Sequence, residues 1–109
     1  MKTKNKTDFT SIAEKLEGFL RTEHCGERLA IKAPELQERY GIGSVQLREI
    51  VNTMRLNGIP ICSGVCGYYY AASVKDVAKT QASMKSRAAS IIDAANGMEK
   101  AYKLFTPEI

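Results

Sequence analysis

The chain has 109 residues, of which 44% are hydrophobic and 26% charged. That is the size and balance of one globular domain with a modest core. The formal net charge of +4 permits an anionic partner without demanding one. No apolar run reaches the roughly 18 residues of a membrane span, and charged Glu14, Lys15 and Glu17 interrupt the only stretch placed like a signal core. Three cysteines, an odd number, do not suit a secreted disulfide framework. The expected location is the cytoplasm.

Taken in order, residues 1–7 read as a polar, basic, disordered tail. A first helix is expected from Asp8 to Arg21, capped by Thr7 or Asp8. Phe9, Ile12, Ala13, Leu16, Phe19 and Leu20 recur at three- and four-residue steps and mark its buried face. The segment "EHCGER" breaks the pattern, with Gly26 as the turn. Leu29 to Ile31 read as a very short strand. A second helix is expected over Pro34–Tyr40, where Pro34 fits the first position, with Leu36 and Tyr40 buried and Gly41 at the end. Ser44 is the expected N-cap of a third helix running to Leu56. Its Leu47, Ile50, Val51 and Met54 share one face, and Gly58 closes it.

Residues 59–71 read as a β-hairpin with its turn at Ser63-Gly64. Tyr68 and Tyr70 fall on one side of the return strand and Tyr69 on the other. From Ser73 to about Leu104 the pattern becomes one long helix, capped by Ser73. Val74, Val77, Gln81, Met84, Ala88, Ile91, Ala95, Met98 and Tyr102 alternate three and four apart, a heptad seam. Gly97 weakens its last turns by about 1 kcal/mol relative to Ala. Residues 106–109 read as a tail. The expected fold class is mainly α with a small β-hairpin: a domain at 8–72 and a long helical element at 73–105.

Helix, glycine turn, helix and hairpin in immediate succession carry a resemblance. Residues 29–71 resemble the winged helix-turn-helix at the N-terminus of biotin-repressor-type regulators and the small winged-helix proteins of bacteriophages and prophages. The matching stretches are "ELQERYGIG", "VQLREIVNTMRLNGIPI" and "GYYYA". The resemblance implies that helix 44–56 reads double-stranded DNA and that 59–71 is the wing. It places DNA contact on Ser44, Gln46, Arg48 and Asn52.

On a helical wheel Val45, Glu49, Asn52 and Thr53 point away from the apolar face, with Gln46, Arg48 and Arg55 on its flanks. Gln and Asn pair with adenine, and Arg with guanine. Ser44 and the free N–H groups at the helix start can hold a phosphate. Lys32, Arg39 and Arg55 are candidate phosphate contacts. The expected function is sequence-guided docking on duplex DNA, as a phage or mobile-element transcription regulator or a replication or excision accessory factor.

The competing expectation is a winged helix used only for protein–protein assembly. An outward Glu49 and a wing tip "CSGVCG" without a basic residue favour it. The long helix extends about 45 Å, more than a domain of this size covers. Val77, Met84, Ala88, Ile91, Ala95 and Met98 are therefore expected to join a second copy in a homodimer, while the first two turns fold back on helix 8–21. His24, Cys25, Cys62 and Cys66 are potential zinc ligands, but paired knuckle spacing is missing, so no metal is expected. Packing is the simpler role for the cysteines, and a Cys62–Cys66 disulfide is disfavoured in a reducing cytoplasm. No catalytic residues, cofactor or small-molecule substrate are expected. The chain has one histidine, no Gly-rich phosphate loop and no clustered carboxylates.

Overall fold

The computed structural model describes residues 2–105, with side chains described from Phe9 onward. Three helices come first: α1 (Lys2–Glu23), α2 (Ala33–Tyr40) and α3 (Ser44–Leu56). An antiparallel hairpin follows, β1 (Ile61–Gly64) and β2 (Gly67–Tyr70), and then the long α4 (Val74–Met98). The order is that of a winged-helix-like arrangement, mainly helical with one two-stranded hairpin.

Helix α1 starts at Lys2, ahead of the expected Asp8, so Thr7 and Asp8 lie inside it rather than at its cap. Residues 2–7 contain neither Gly nor Pro, and nothing in them stops a helix. The expected 106–109 tail lies outside the described residues. Leu16 and Leu20 are fully buried, with Phe9, Ile12, Ala13 and Phe19 packed beside them, so the predicted face is the one that packs.

The expected strand at 29–31 is not a strand. Gly26, at φ 94°, turns the chain into a single 3-10 turn over Glu27–Leu29. Only Ile31 pairs, donating to Tyr68 O at 2.9 Å and accepting from Tyr68 N at 2.8 Å. Helix α2 starts immediately afterwards, which leaves no room for more ladder. Gly41, at φ 63°, caps α2 in the left-handed conformation, and Ile42 plugs the turn against the core.

The hairpin turn is Val65-Cys66, not Ser63-Gly64. Its register pairs Gly64 with Gly67, Ser63 with Tyr68, Cys62 with Tyr69 and Ile61 with Tyr70. Gly67 takes φ 119°, so Val65 and Cys66 keep negative φ and the turn needs no strained side-chain-bearing residue. The two faces of the hairpin are both covered. Ile61, Tyr68 and Tyr70 pack on the helical core, whereas Cys62 and Tyr69, each 2% exposed or less, lie under the start of α4.

Helix α4 therefore docks on β1, correcting the expectation that its first turns fold onto α1. The Cys62 thiol donates to Asp76 O at 3.5 Å, and Lys79 pairs with Glu27 at 3.0 Å. Buried Thr80 sets its hydroxyl beside Cys62 and Tyr69 but within no well-formed hydrogen bond. Ser73 holds the N-cap position without a side-chain bond, and Asp76 instead accepts from Ala72 N at 2.8 Å. Beyond the hairpin α4 projects, and every residue from Lys85 to Lys100 is exposed. Shortly after Gly97 it tightens into a 3-10 segment, Glu99–Leu104.

Burial under α4 pushes the Cys62 thiol above its ordinary pKa. The folded state thus disfavours the thiolate. The stability this contributes is complete below about pH 8.5 and is lost as pH rises through the folded-state value. Urea midpoints should fall on going from pH 7.5 to pH 10, and Cys62→Ala should lessen that fall. An identical fall in the variant would place the thiol in water.

Candidate nucleic-acid interface

Helix α3 is built as a two-faced element. Leu47, Ile50, Val51 and Met54 are each 2% exposed or less and hold it to α1 and α2. The other face is open. Ser44, Arg48 and Asn52 are exposed and follow one another at four-residue steps, so they form one row along the helix. Neither the Arg48 nor the Asn52 side chain makes a hydrogen bond or ion pair among the described residues, which leaves a guanidinium and an amide presented side by side. Val45, Glu49 and Thr53 form the adjacent exposed row.

The other expected contacts are engaged elsewhere. The N-cap of α3 is Gly43, one residue before the expected Ser44, and the Gln46 side chain accepts from Gly43 N at 2.8 Å. Gln46 closes the helix start, so its oxygen is not presented to a base. Arg55 is half-buried and reaches across to the hairpin, donating from Nε to Ile61 O at 2.8 Å and from Nη2 to Ser63 Oγ at 3.0 Å. Desolvation pulls its pKa below the ordinary arginine value, and it remains a cation at neutral pH. Arg55 is a strut between α3 and the wing. Arg39 lies 3.7 Å over the Phe19 ring of α1 and 5.8 Å from the Tyr40 ring, on the far end of α2 from the wing.

Lys32 has the opposite fate. Its ammonium donates to Val65 O at 3.0 Å, placing a positive charge on a wing tip that has none of its own. Arg87 joins it: Lys32, Arg87, Ser63 and Val65 line one groove of about 440 Å³ between the wing and α4. Arg87 was not among the expected contacts. It lies 22 residues beyond the wing turn's Val65 in sequence, and only the docking of α4 on the hairpin brings it there. Two cations at the wing answer part of the objection that "CSGVCG" is not basic.

The potential metal ligands disperse. His24 Nδ1 lies 2.6 Å from Leu29 O, Cys25 bonds Ala71 O, Cys62 is buried beneath α4 and Cys66 is exposed in the turn. Among the described residues no three His, Cys, Asp or Glu side chains gather into a metal-holding group, and all three cysteines are free. No helix among the described residues is long and apolar enough to cross a membrane.

Compared with family models, with curated proteins and with solved structures, the chain matches none.

Proposed function

We propose that this protein docks on double-stranded DNA, with α3 in the major groove and the wing beside the phosphate backbone, and that it acts as a homodimer joined through α4. A transcription regulator or a replication or excision accessory factor of a phage or mobile element is the role that fits. The observation that carries the reading is the exposed row Ser44–Arg48–Asn52 on a helix whose opposite face is fully buried. A groove-reading helix needs that division, with polar side chains free of partners in their own domain. Lys32 and Arg87 at the wing supply the phosphate-facing charge.

In this reading Arg48 is the principal base contact and Asn52 the second. Selection from a randomised duplex pool should return a recurring sequence. Arg48→Ala should weaken binding to it by ~1–3 kcal/mol and relax the preference at one position. Unchanged affinity in the variant would remove Arg48 from the site.

A second reading has its own support. Val45 is 55% exposed and Leu56 78%, and they flank Glu49 on the same open face. Two exposed apolar side chains around a carboxylate suit a protein partner better than a phosphate backbone. On that reading no duplex is retained at any salt concentration, and Leu56→Asp abolishes assembly.

A further inference from the structure

The projecting part of α4 carries an apolar seam that its own domain does not cover. Met84 is the last half-buried residue of α4, in the groove formed with Ile59, Pro60 and Cys62. Past it, Ile91 is 69% exposed, Ile92 58% and Met98 68%. The seam has two rows. One holds the large residues Met84, Ile91 and Met98, and the other the small residues Ala88 and Ala95. Each row repeats every seven residues, the spacing of a two-helix interface.

We propose that this seam is covered by α4 of a second copy running antiparallel, in the register that sets Ala88 opposite Met98 of the second copy and Lys85 opposite Glu99 of the second copy. The inference rests on the homodimer reading above and specifies its geometry. In an antiparallel pair the two seam rows face each other, so the layers between Ala88 and Met98 each join a large residue to a small one. Ala88 meets Met98, and Ile91 meets Ala95. The two-fold axis repeats each of these layers, and none of them is left overfull or empty.

The flanks select the register. Lys85 and Glu99 lie on the same side of the seam, two heptads apart, with Ile92 midway. Antiparallel pairing brings that flank against its own copy. Lys85 then faces Glu99 twice, and Ile92 meets Ile92 on the axis, which also accounts for an exposed isoleucine outside both seam rows. Sliding the helices by one heptad in either direction sets Lys85 or Glu99 against Ile92. Parallel pairing stacks Ala on Ala and Ile on Ile, and sets Arg87 against Ile92 and Glu99 against Ala94. Neither alternative makes an opposite-charge pair.

The arrangement has a geometric consequence for DNA. Each domain docks on α4 near Thr80, and the axis falls near Asp93. At 1.5 Å per residue the two docking points lie about 39 Å apart, close to the ~34 Å that separates successive major-groove faces on one side of a duplex.

Sedimentation of the full chain tests this. The wild type should be a dimer. Lys85→Glu and Glu99→Lys should each raise the dimer dissociation constant about tenfold or more, since each turns two attractive pairs repulsive. The double variant should return close to the wild-type value. Both positions are exposed in the single chain, so circular dichroism should report an unchanged fold. Dimerisation indifferent to either single reversal would overturn the antiparallel register. A wild-type monomer at every concentration would overturn the second copy itself, while duplex binding by the same sample reports on the DNA reading separately.

Discussion

Gly67→Ala should cost about 3 kcal/mol or more of stability, a large share of what a domain of this size has. Two independent faults combine there. The residue takes φ 119°, a region an L side chain rarely enters, and an added Cβ would stand 2.3 Å from Ile31 O. The neighbour is backbone, held by the two Ile31–Tyr68 hydrogen bonds, so it cannot swing aside. Two other glycines separate the faults. Gly58, at φ 84°, has nothing within 4 Å of an added Cβ, so Gly58→Ala reports the dihedral cost alone. Gly18, inside α1, has neither problem, and Gly18→Ala should stabilise by about 0.5–1 kcal/mol. Urea denaturation followed at 222 nm ranks all three. A Gly67→Ala loss no larger than that of Gly58→Ala would mean that the wing does not close onto residue 31.

Tyr69→Ala should be the second large loss, about 3–5 kcal/mol by comparison with other buried aromatic truncations. Tyr69 is 1% exposed and fills the layer between the hairpin and α4, opposite Cys62 and beside Thr80. Truncation leaves a cavity where the long helix docks, so the first turns of α4 should loosen together with the global loss. Tyr69→Phe keeps the ring and should retain most of the stability. A Tyr69→Ala variant within about 1 kcal/mol of wild type would contradict the docking of α4 on the hairpin.

Much of this fold is legible in the sequence because local rules decide it. Leu47, Ile50, Val51 and Met54 define the buried side of α3 by spacing alone, and Gly41 ends α2 by its need for a left-handed residue. The hairpin is legible from its β-prone residues, but the turn position is not. Ser63-Gly64 reads as a turn by composition, whereas the chain is ruled by Gly67, where backbone crowding from Ile31 leaves no room for a side chain. Crowding of that kind is a tertiary fact.

The surface beneath α4 is hidden for a related reason. A small residue and an aromatic, Cys62 and Tyr69, form the second apolar face of the hairpin, and nothing in their spacing says which helix covers it.

The candidate site divides along the same line. The row Ser44–Arg48–Asn52 follows from helical periodicity and is exposed as a row. Which of the cations and amides near it remain free does not follow. Gln46 turns back on its own helix start, Arg55 braces the wing, and Arg39 stacks on Phe19. These partners are backbone carbonyl and amide groups, a ring face and the Ser63 hydroxyl, none of them charged, and no pattern of charges foretells them. Arg87 reaches the wing only because α4 lies where it does.

In the proposed reading, the open face of α3 and the wing meet phosphate-flanked bases. That contact is tested most directly by fluorescence anisotropy of the full chain with a random-sequence duplex across a salt series. Binding should appear at low salt and weaken steeply as salt rises, because each phosphate contact releases condensed counterions. An absence of binding even at the lowest salt would contradict the proposed contact.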